Sequence, residues 1–170
     1  MIRPVRDADA AAIRDIYNFY VENTVITFDE APVTAPAIEE QIREITACFP
    51  WLVWEEAGEV LGYAYLHQWK ERRAYRFSAE DSIYIKQGFL GQGMGKRLMI
   101  RLLEEAPKAG LHAVVAGITI PNKQSISLHR KFGFKKIAHF PEIGYKLGKW
   151  LDVGYWERIL PSSPSPEHIP

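Results

Sequence analysis

The stretch Ile85-Lys86-Gln87-Gly88-Phe89-Leu90-Gly91-Gln92-Gly93-Met94-Gly95-Lys96 decides the fold class. A β-rich run leads into it and apolar residues at helical spacing follow it, which predicts a strand, a glycine turn and a helix. Glycines let the backbone approach a ligand closely, and the first helical turn offers unpaired N–H groups and a positive dipole end. The stretch therefore predicts a site for an anion such as a pyrophosphate. The alternative is a turn that only joins strand to helix.

Two common nucleotide-binding loops do not fit this turn. A nucleoside-triphosphate loop needs glycine five positions before Gly95 and a hydroxyl residue after Lys96, where the sequence has Leu90 and Arg97. A dinucleotide fold needs GxGxxG in its first β-α turn, whereas this turn reads GxGxG and follows a hairpin in mid-chain. Both classes of ligand are therefore excluded.

Working outward from the turn, periodic runs predict the remaining elements. We expect strands at 2–5, 51–54, 60–66, about 75–85, 112–120, 136–139 and 150–160, and helices from Asp7, after Thr34 towards Thr46, from the glycines to near Gly110, and at 122–131. Residues 24–36 form an irregular link between the first two helices, a common place for substrate contacts. The order predicts an α/β (α+β) fold whose central sheet is mixed and mostly antiparallel and is flanked by helices.

Composition limits the class of protein. The chain has 170 residues, of which 47% are hydrophobic, and this predicts one domain at 1–160 followed by a disordered Pro- and Ser-rich tail at 161–170. Its 21 basic residues balance 21 acidic ones, so we expect neither nucleic acid nor a membrane surface as a partner.

Localisation and cysteine usage point the same way. The N-terminus has no apolar run of signal-peptide length, which predicts a cytoplasmic protein. The single cysteine, Cys48, cannot form an intramolecular disulfide and has no metal-ligand spacing around it. We interpret Cys48 as a core residue and expect no metal site.

The glycine turn resembles the signature of the GCN5-related N-acetyltransferase (GNAT) superfamily, Gln/Arg-x-x-Gly-x-Gly/Ala, which here reads Leu90-Gly91-Gln92-Gly93-Met94-Gly95. Leu90 departs from that pattern, which puts affinity more than function in doubt, and Lys96 is a compensating charge. The resemblance implies a splayed central sheet, acetyl-CoA as cosubstrate and a homodimer. It also implies a cofactor site made of Ile83, Tyr84, Ile85, Gly91, Gln92, Gly93, Met94, Gly95, Lys96, Asn122 and Ser125.

Segments outside the turn narrow the resemblance. Residues 69–85, 120–134 and 148–156 are similar to the phosphinothricin and methionine sulfoximine or methionine sulfone acetyltransferases. This similarity implies direct acetyl transfer to the α-amine of a small amino acid or analogue, with a role in detoxification. The alternatives are acetylation of a protein N-terminus or a polyamine, or a non-catalytic CoA-binding regulator.

Two residues are candidates for catalysis, because the acceptor amine must lose a proton before it reacts. Glu80 lies on the strand that leads to the glycines, where partial burial raises the pKa of a carboxylate and suits it as a base. Its alternative is a solvated carboxylate paired with a nearby arginine. His129 matches a histidine that the subfamily places near the reaction centre, for proton relay or orientation, and its alternative is packing.

Further residues are candidates for ligand binding. Arg72 and Arg76 are clustered near Tyr75, and a guanidinium grips a carboxylate with two hydrogen bonds. On a regular strand, Arg72 and Arg76 share a face with Glu80. Phe28, in the irregular link, either covers the acceptor side chain or packs in the core. Asn122 is either a pantetheine ligand, as the resemblance implies, or a helix N-cap.

Overall fold

A seven-stranded sheet with helices on both faces organises the computed structural model, which describes residues 1–161. The elements are β1 (Ile2–Pro4), α1 (Ala10–Asn23), α2 (Ala35–Thr46), β2 (Trp51–Glu56), β3 (Glu59–Gln68), β4 (Ser78–Ile85), α3 (Met94–Glu105), β5 (Ala113–Ile120), α4 (Lys123–Lys131), β6 (Lys135–Lys146) and β7 (Lys149–Ile159). Short 3₁₀ turns form at Asp7–Asp9 and Arg73–Tyr75. The predicted α/β architecture is confirmed.

The sheet order is β1-β2-β3-β4-β5-β7-β6, and its neighbours are antiparallel except for β4 and β5. The parallel pairing covers only Ser78–Glu80 against Ala113–Val115. Beyond it, β4 stays paired with β3 as far as Ile85, while β5 stays paired with β7 as far as Ile120. The two central strands therefore diverge after Glu80 and leave a V-shaped opening, as the resemblance implied.

Each face of the sheet has its own apolar core. On one face, α3 packs Leu98, Met99 and Leu102 against the strands and against Trp156. On the other face, α1 and α2 cover an aromatic layer that includes Trp51 and Tyr63. Burial of each large side chain contributes roughly 1.5–3 kcal/mol. The β4–β5 opening lies between these two layers, so its edges are held by both.

Three details of the sequence prediction are wrong. β4 begins at Ser78 rather than near Tyr75, because residues 72–76 close local turns in which the Tyr75 and Arg76 N–H groups donate to the carbonyls of Arg72 and Arg73. Cys48 is exposed in the turn after α2 and is not a core residue. Asp7 lies in a 3₁₀ turn, and α1 starts at Ala10.

Two further predictions concern the ends and the exterior of the chain. The proposed tail lies, apart from Pro161, outside the described residues. Within residues 1–161, no helix combines the length and the apolar character needed to cross a membrane.

Candidate active site

The glycine turn adopts the conformation that the sequence predicts. Gly91 and Gly93 have φ angles of 78° and 81°, in the left-handed region that favours glycine. Gly93 is the N-cap of α3, and within the described part of the chain no side chain caps this end. The first N–H groups of α3 are thus open to an anion, which fits a pyrophosphate. Met94 is buried and presents only backbone there.

The residues around this turn are arranged as a surface for an extended ligand. Gln92 and Lys96 are exposed at the start of α3. A Cβ on Gly95 would lie 3.8 Å from Leu128 of α4, an ordinary contact, so helix packing does not require glycine at this position. Ile83, Tyr84 and Ile85 occupy the part of β4 that has left β5, so one backbone edge of this segment has no strand partner among residues 1–161. The resemblance predicts the pantetheine arm along that edge.

Glu80 lies where β4 and β5 begin to part and borders a cavity of about 500 Å³. The cavity has three sides. Residues 26–28 of the α1–α2 link form the first, the face of β4 that carries Ser82 and Tyr84 forms the second, and strands β5, β6 and β7 form the third. The remaining lining residues are Asp81, Gly117, Thr119, Phe140, Ile143, Val153 and Tyr155. The candidate base therefore opens onto a space large enough for a small substrate.

The surroundings of Glu80 raise the pKa of its carboxyl. Burial raises the pKa of the Glu80 carboxyl, and the charge of Asp81 raises it further. Electrostatic interactions with His67 and Lys70 and a hydrogen bond from the Gly117 N–H lower the pKa of Glu80 without cancelling the shift. A general base needs a pKa near the operating pH, and this direction of shift brings Glu80 closer to it.

Gly117 makes room for this carboxylate. A Cβ on Gly117 would lie 2.6 Å from Glu80 Oε1 and 3.3 Å from Tyr155 Cε1. Burial and the neighbouring charge of Glu80 together raise the pKa of Tyr155, so its hydroxyl stays protonated. A glycine inside the strand Ala113–Ile120 is thus explained by the close approach of Glu80.

His129 is buried on α4 and pairs with Asp81 of β4. Its Nε2 lies 2.9 Å from Asp81 Oδ2 and its Nδ1 lies 2.7 Å from the Ser125 carbonyl oxygen. Both ring nitrogens face acceptors, so both must donate for the hydrogen bonds to form, which describes an imidazolium beside a carboxylate. Burial opposes this charge, yet Asp81 outweighs burial and the pKa of His129 is raised.

The other oxygen of Asp81 is buried and has no hydrogen-bond partner among the described residues. Such a group is costly unless something satisfies it. Asp81 also borders the cavity, so this residue lies between its partner His129 and that space.

Asn122 acts as the N-cap of α4, where its Oδ1 accepts a 3.0 Å hydrogen bond from the Ser125 N–H. The hydroxyl of Ser125 lies 3.3 Å from His129 Nδ1. The N-cap alternative for Asn122 is confirmed, and its packing beside the splayed strands is compatible with a ligand role as well.

The predicted substrate residues fall into two groups. Phe28 is 41% exposed and lines the cavity beside β6, rather than packing in a core. Arg72, Tyr75 and Arg76 lie on the exposed 3₁₀ turn, outside the lining of the cavity. Tyr75 contacts Trp69 edge to face, and the Arg76 guanidinium lies 4.1 Å from the Phe77 ring centre. The predicted common face of Arg72, Arg76 and Glu80 is wrong, because the chain turns between them.

Several site residues were missed by the sequence prediction. Ser82 follows from strand alternation with Glu80, and Gly117 from a glycine within a β-branched run. Asp81, Tyr155 and the buried Lys146 carry no local signal, since their partners are distant in sequence. Among the described residues, no cluster of three potential metal ligands is found.

The splayed parallel strands, the open N-terminus of α3 and the partly buried carboxylate of Glu80 define an enzyme of the CoA-dependent acyltransferase class. The Acetyltransferase (GNAT) family profile matches residues 13–134. The chain therefore belongs to the GNAT acetyltransferase family.

Relatives support the same assignment along nearly the whole chain. A phosphinothricin N-acetyltransferase of Streptomyces viridochromogenes is 37% identical over 97% of this chain and 91% of its own length. An L-methionine sulfoximine/L-methionine sulfone acetyltransferase of Salmonella typhimurium is 36% identical over 98% of both chains. A Salmonella typhimurium protein solved with its cofactor acetyl-CoA superimposes with a TM-score of 0.95 at 35% identity, covering 99% of this chain and 98% of that one. The protein is thus an N-acetyltransferase that uses acetyl-CoA as its cosubstrate.

Proposed function

We propose that this enzyme acetylates the α-amine of a small amino acid or analogue of the phosphinothricin, methionine sulfoximine or methionine sulfone type. The observation that carries the proposal is the cavity beside Glu80, which lies at the mouth of the β4–β5 opening. The specificity of the relatives supports this class of acceptor. Detoxification of such compounds is the corresponding physiological role.

In this proposal the acceptor amine binds in the cavity and Glu80 removes its proton, directly or through water. Bound acetyl-CoA supplies an activated thioester, and the amine takes the acetyl group from it without a covalent enzyme intermediate. The N–H groups of α3 and the exposed Lys96 hold the pyrophosphate. The open edge of Ile83–Ile85 holds the pantetheine arm and stabilises charge on the carbonyl oxygen. The C–S bond breaks as the C–N bond forms, and CoA leaves as the thiolate, which needs no acid from the enzyme because a thiol has a low pKa.

The Asp81–His129 pair has an orienting role in this scheme. With both ring nitrogens donating, His129 has no lone pair with which to accept a proton. We assign proton removal to Glu80 and assign to His129 the placement of α4, which carries Asn122 and Ser125 beside the cofactor arm.

The acceptor carboxylate is assigned to the turn that precedes β4. Arg72, Tyr75 and Arg76 are exposed and lie a few residues before Glu80, and a guanidinium provides two parallel hydrogen bonds to a carboxylate. The cationic groups lie outside the cavity and Phe28 lines it, so in this proposal the carboxylate stays at the entrance while the amine and the side chain occupy the cavity.

We also propose that the enzyme is a homodimer working in the cytoplasm, where acetyl-CoA and amino acids are available. β6 is an edge strand, and exposed apolar side chains cluster on β6 and the hairpin: Ile137, Phe140, Ile143, Tyr145, Leu147 and Trp150. An apolar edge of this size suits an interface between copies. Sedimentation velocity of the full chain is the direct measurement, and a monomer at micromolar concentration contradicts the proposal.

A thiol-release assay with acetyl-CoA tests the acceptor class. The panel contains phosphinothricin, methionine sulfoximine, methionine sulfone, a polyamine and a peptide with a free N-terminus. We expect turnover with the first three and with neither of the last two. Arg72→Ala and Arg76→Ala should raise the acceptor KM by about tenfold, equivalent to one charge-assisted hydrogen bond, with Arg73→Ala as the matched control. Thiol release with the polyamine and with none of the amino-acid analogues contradicts the proposal. If no amine in the panel causes thiol release, the result supports the alternative of a non-catalytic CoA-binding regulator.

A further inference from the structure

The eleven residues between α1 and α2 form a link without helix or strand, yet hydrogen bonds fix it at several points. At its start, the Thr24 hydroxyl donates to the Tyr20 carbonyl at 2.7 Å. At its end, Asn18 exchanges two 2.9 Å bonds with the backbone of Val33. Near the middle, the Tyr17 hydroxyl lies 2.8 Å from Thr27 Oγ1 and donates to Asp29 at 2.7 Å. The link is thus a defined structure from which Phe28 projects.

A buried lysine from the other end of the chain ties the same link to β6. Lys146 is 2% exposed and its Nζ donates to the Thr27 carbonyl oxygen at 2.8 Å. Burial lowers the pKa of Lys146, against the influence of Asp29 and Glu30. Burying an ammonium is costly, so a lysine at this position needs a structural reason.

Gly144, two residues before Lys146, supports the Phe28 ring. A Cβ on Gly144 would lie 2.6 Å from Phe28 Cζ and closer still to Cε2. The backbone of Gly144 is outside the left-handed region, so the ring contact rather than the conformation demands glycine here. The ring therefore rests directly on the β6 backbone.

A bulge in β6 brings this support up to the cavity. The register between β6 and β7 shifts between Phe140 and Gly144, and the Glu142 N–H donates to Asp152 Oδ1 at 2.9 Å. Phe140, just before the bulge, and Ile143, within it, line the cavity together with Phe28. The β6–β7 hairpin thus fixes one wall of the acceptor space.

From these contacts we infer that Gly144 and Lys146 determine acceptor specificity by holding Phe28 as that wall. Both are positioning residues: neither lines the cavity, and both act through the link. The inference rests on the proposed function, since it assigns Phe28 to the acceptor and not to the cofactor. The size of the acceptor side chain then depends on a hairpin more than a hundred residues away in sequence.

A double-mutant cycle tests the inference with the full chain. Gly144→Ala displaces the ring, and a misplacement of about 1 Å costs up to about a hundredfold. We expect a tenfold or larger change in the ratio of kcat/KM between methionine sulfone and phosphinothricin, with the acetyl-CoA KM changed by less than about twofold. In a Phe28→Ala background the same substitution should have no effect on the ratio. Lys146→Met, which removes the bond to Thr27, should change the ratio in the same way, and Lys149→Ala serves as the control.

The outcomes separate the two proposals. Equal effects of Gly144→Ala with and without Phe28, or a change confined to the acetyl-CoA KM, overturn the specificity role and leave the proposed function standing. Failure of the wild-type chain to release thiol with any amino-acid analogue overturns the proposed function and the specificity role together. Thermal unfolding of each variant shows whether it folds. If Lys146→Met does not fold, the result with Gly144→Ala decides.

Discussion

Glu80 and Asp81 are adjacent carboxylates on β4, and the strand directs them to opposite faces of the sheet. Glu80 faces the cavity with Ser82 and Tyr84, and it forms no ion pair within residues 1–161. Asp81 faces α4 and is paired with His129 at 2.9 Å. Both side chains are at least partly buried, but only Asp81 has a partner of opposite charge, His129. In the proposed mechanism, the carboxylate without an ion-pair partner serves as the base, and the carboxylate paired with His129 does not.

The largest effect should come from removing the unpaired carboxylate. Glu80→Gln keeps the shape of the side chain and removes the base, so kcat should fall by about 10²- to 10⁴-fold. In the wild type, activity should fall as the pH drops through the raised pKa of Glu80, because only the deprotonated form accepts a proton. That acidic limb should disappear in the variant. The measurement is kcat against pH with saturating acetyl-CoA.

Glu104→Gln, an exposed glutamate on α3, is the matched control and should leave kcat unchanged. Equal turnover of the wild type and Glu80→Gln across the pH range would falsify the assignment of Glu80 as the base. Glu80 and Asp81 would then differ in their ion pairing but not in a catalytic role.

A smaller effect should follow from neutralising the paired carboxylate. In Asp81→Asn, the amide N–H can donate to a neutral His129 while Nδ1–H still donates to Ser125, so the hydrogen bonds survive and both charges are lost. We expect kcat to fall by tenfold or less and the free energy of unfolding to fall by about 1 to 3 kcal/mol. Nitrogen NMR of His129 should show both ring nitrogens protonated in the wild type and one in the variant.

The pH dependence of this stability difference has a definite sign. The folded-state pKa of His129 is raised above its unfolded value. The stabilisation is therefore complete below the unfolded pKa of about 6.5 and is lost as the pH rises through the folded value. Urea unfolding of the wild type and Asp81→Asn should diverge most near pH 6 and converge at higher pH. A difference that grows with pH contradicts the ion pair.

Local sequence patterns predict Glu80 as a site residue but not the pairing of Asp81. The glycine turn, its helix and Glu80 follow from local patterns, because spacing along one strand or helix fixes which side chains share a face. The Asp81–His129 pair joins residues 48 apart, and Lys146 meets Thr27 across 119 residues. Such contacts depend on how the sheet and helices pack, which local periodicity does not encode.

The predicted start of β4 near Tyr75 is wrong for a different reason. Aromatic residues at Tyr75 and Phe77 favour a strand on propensity, but two local backbone hydrogen bonds close a 3₁₀ turn there instead. The register with β5 begins at Ser78, just after Phe77, whose carbonyl accepts hydrogen bonds from the N–H groups of His112 and Ala113. The predicted strand is therefore present but begins later than predicted. Because residues 72–76 form a turn, Arg72 and Arg76 do not share a strand face with Glu80.

The smallest effect should come from the distant cations that partly compensate Glu80. Lys70 is exposed, and its charge lowers the pKa of Glu80 from outside the cavity. Lys70→Gln should therefore move the acidic limb of kcat to higher pH and reduce turnover at neutral pH by less than about twofold, as expected for a screened surface charge. Molar salt should produce the same shift in the wild type and little in the variant. Lys123→Gln, an exposed lysine on α4, is the control. A shift to lower pH would contradict the electrostatic picture, since it would mean that the charge of Lys70 raises the pKa of Glu80 instead of lowering it.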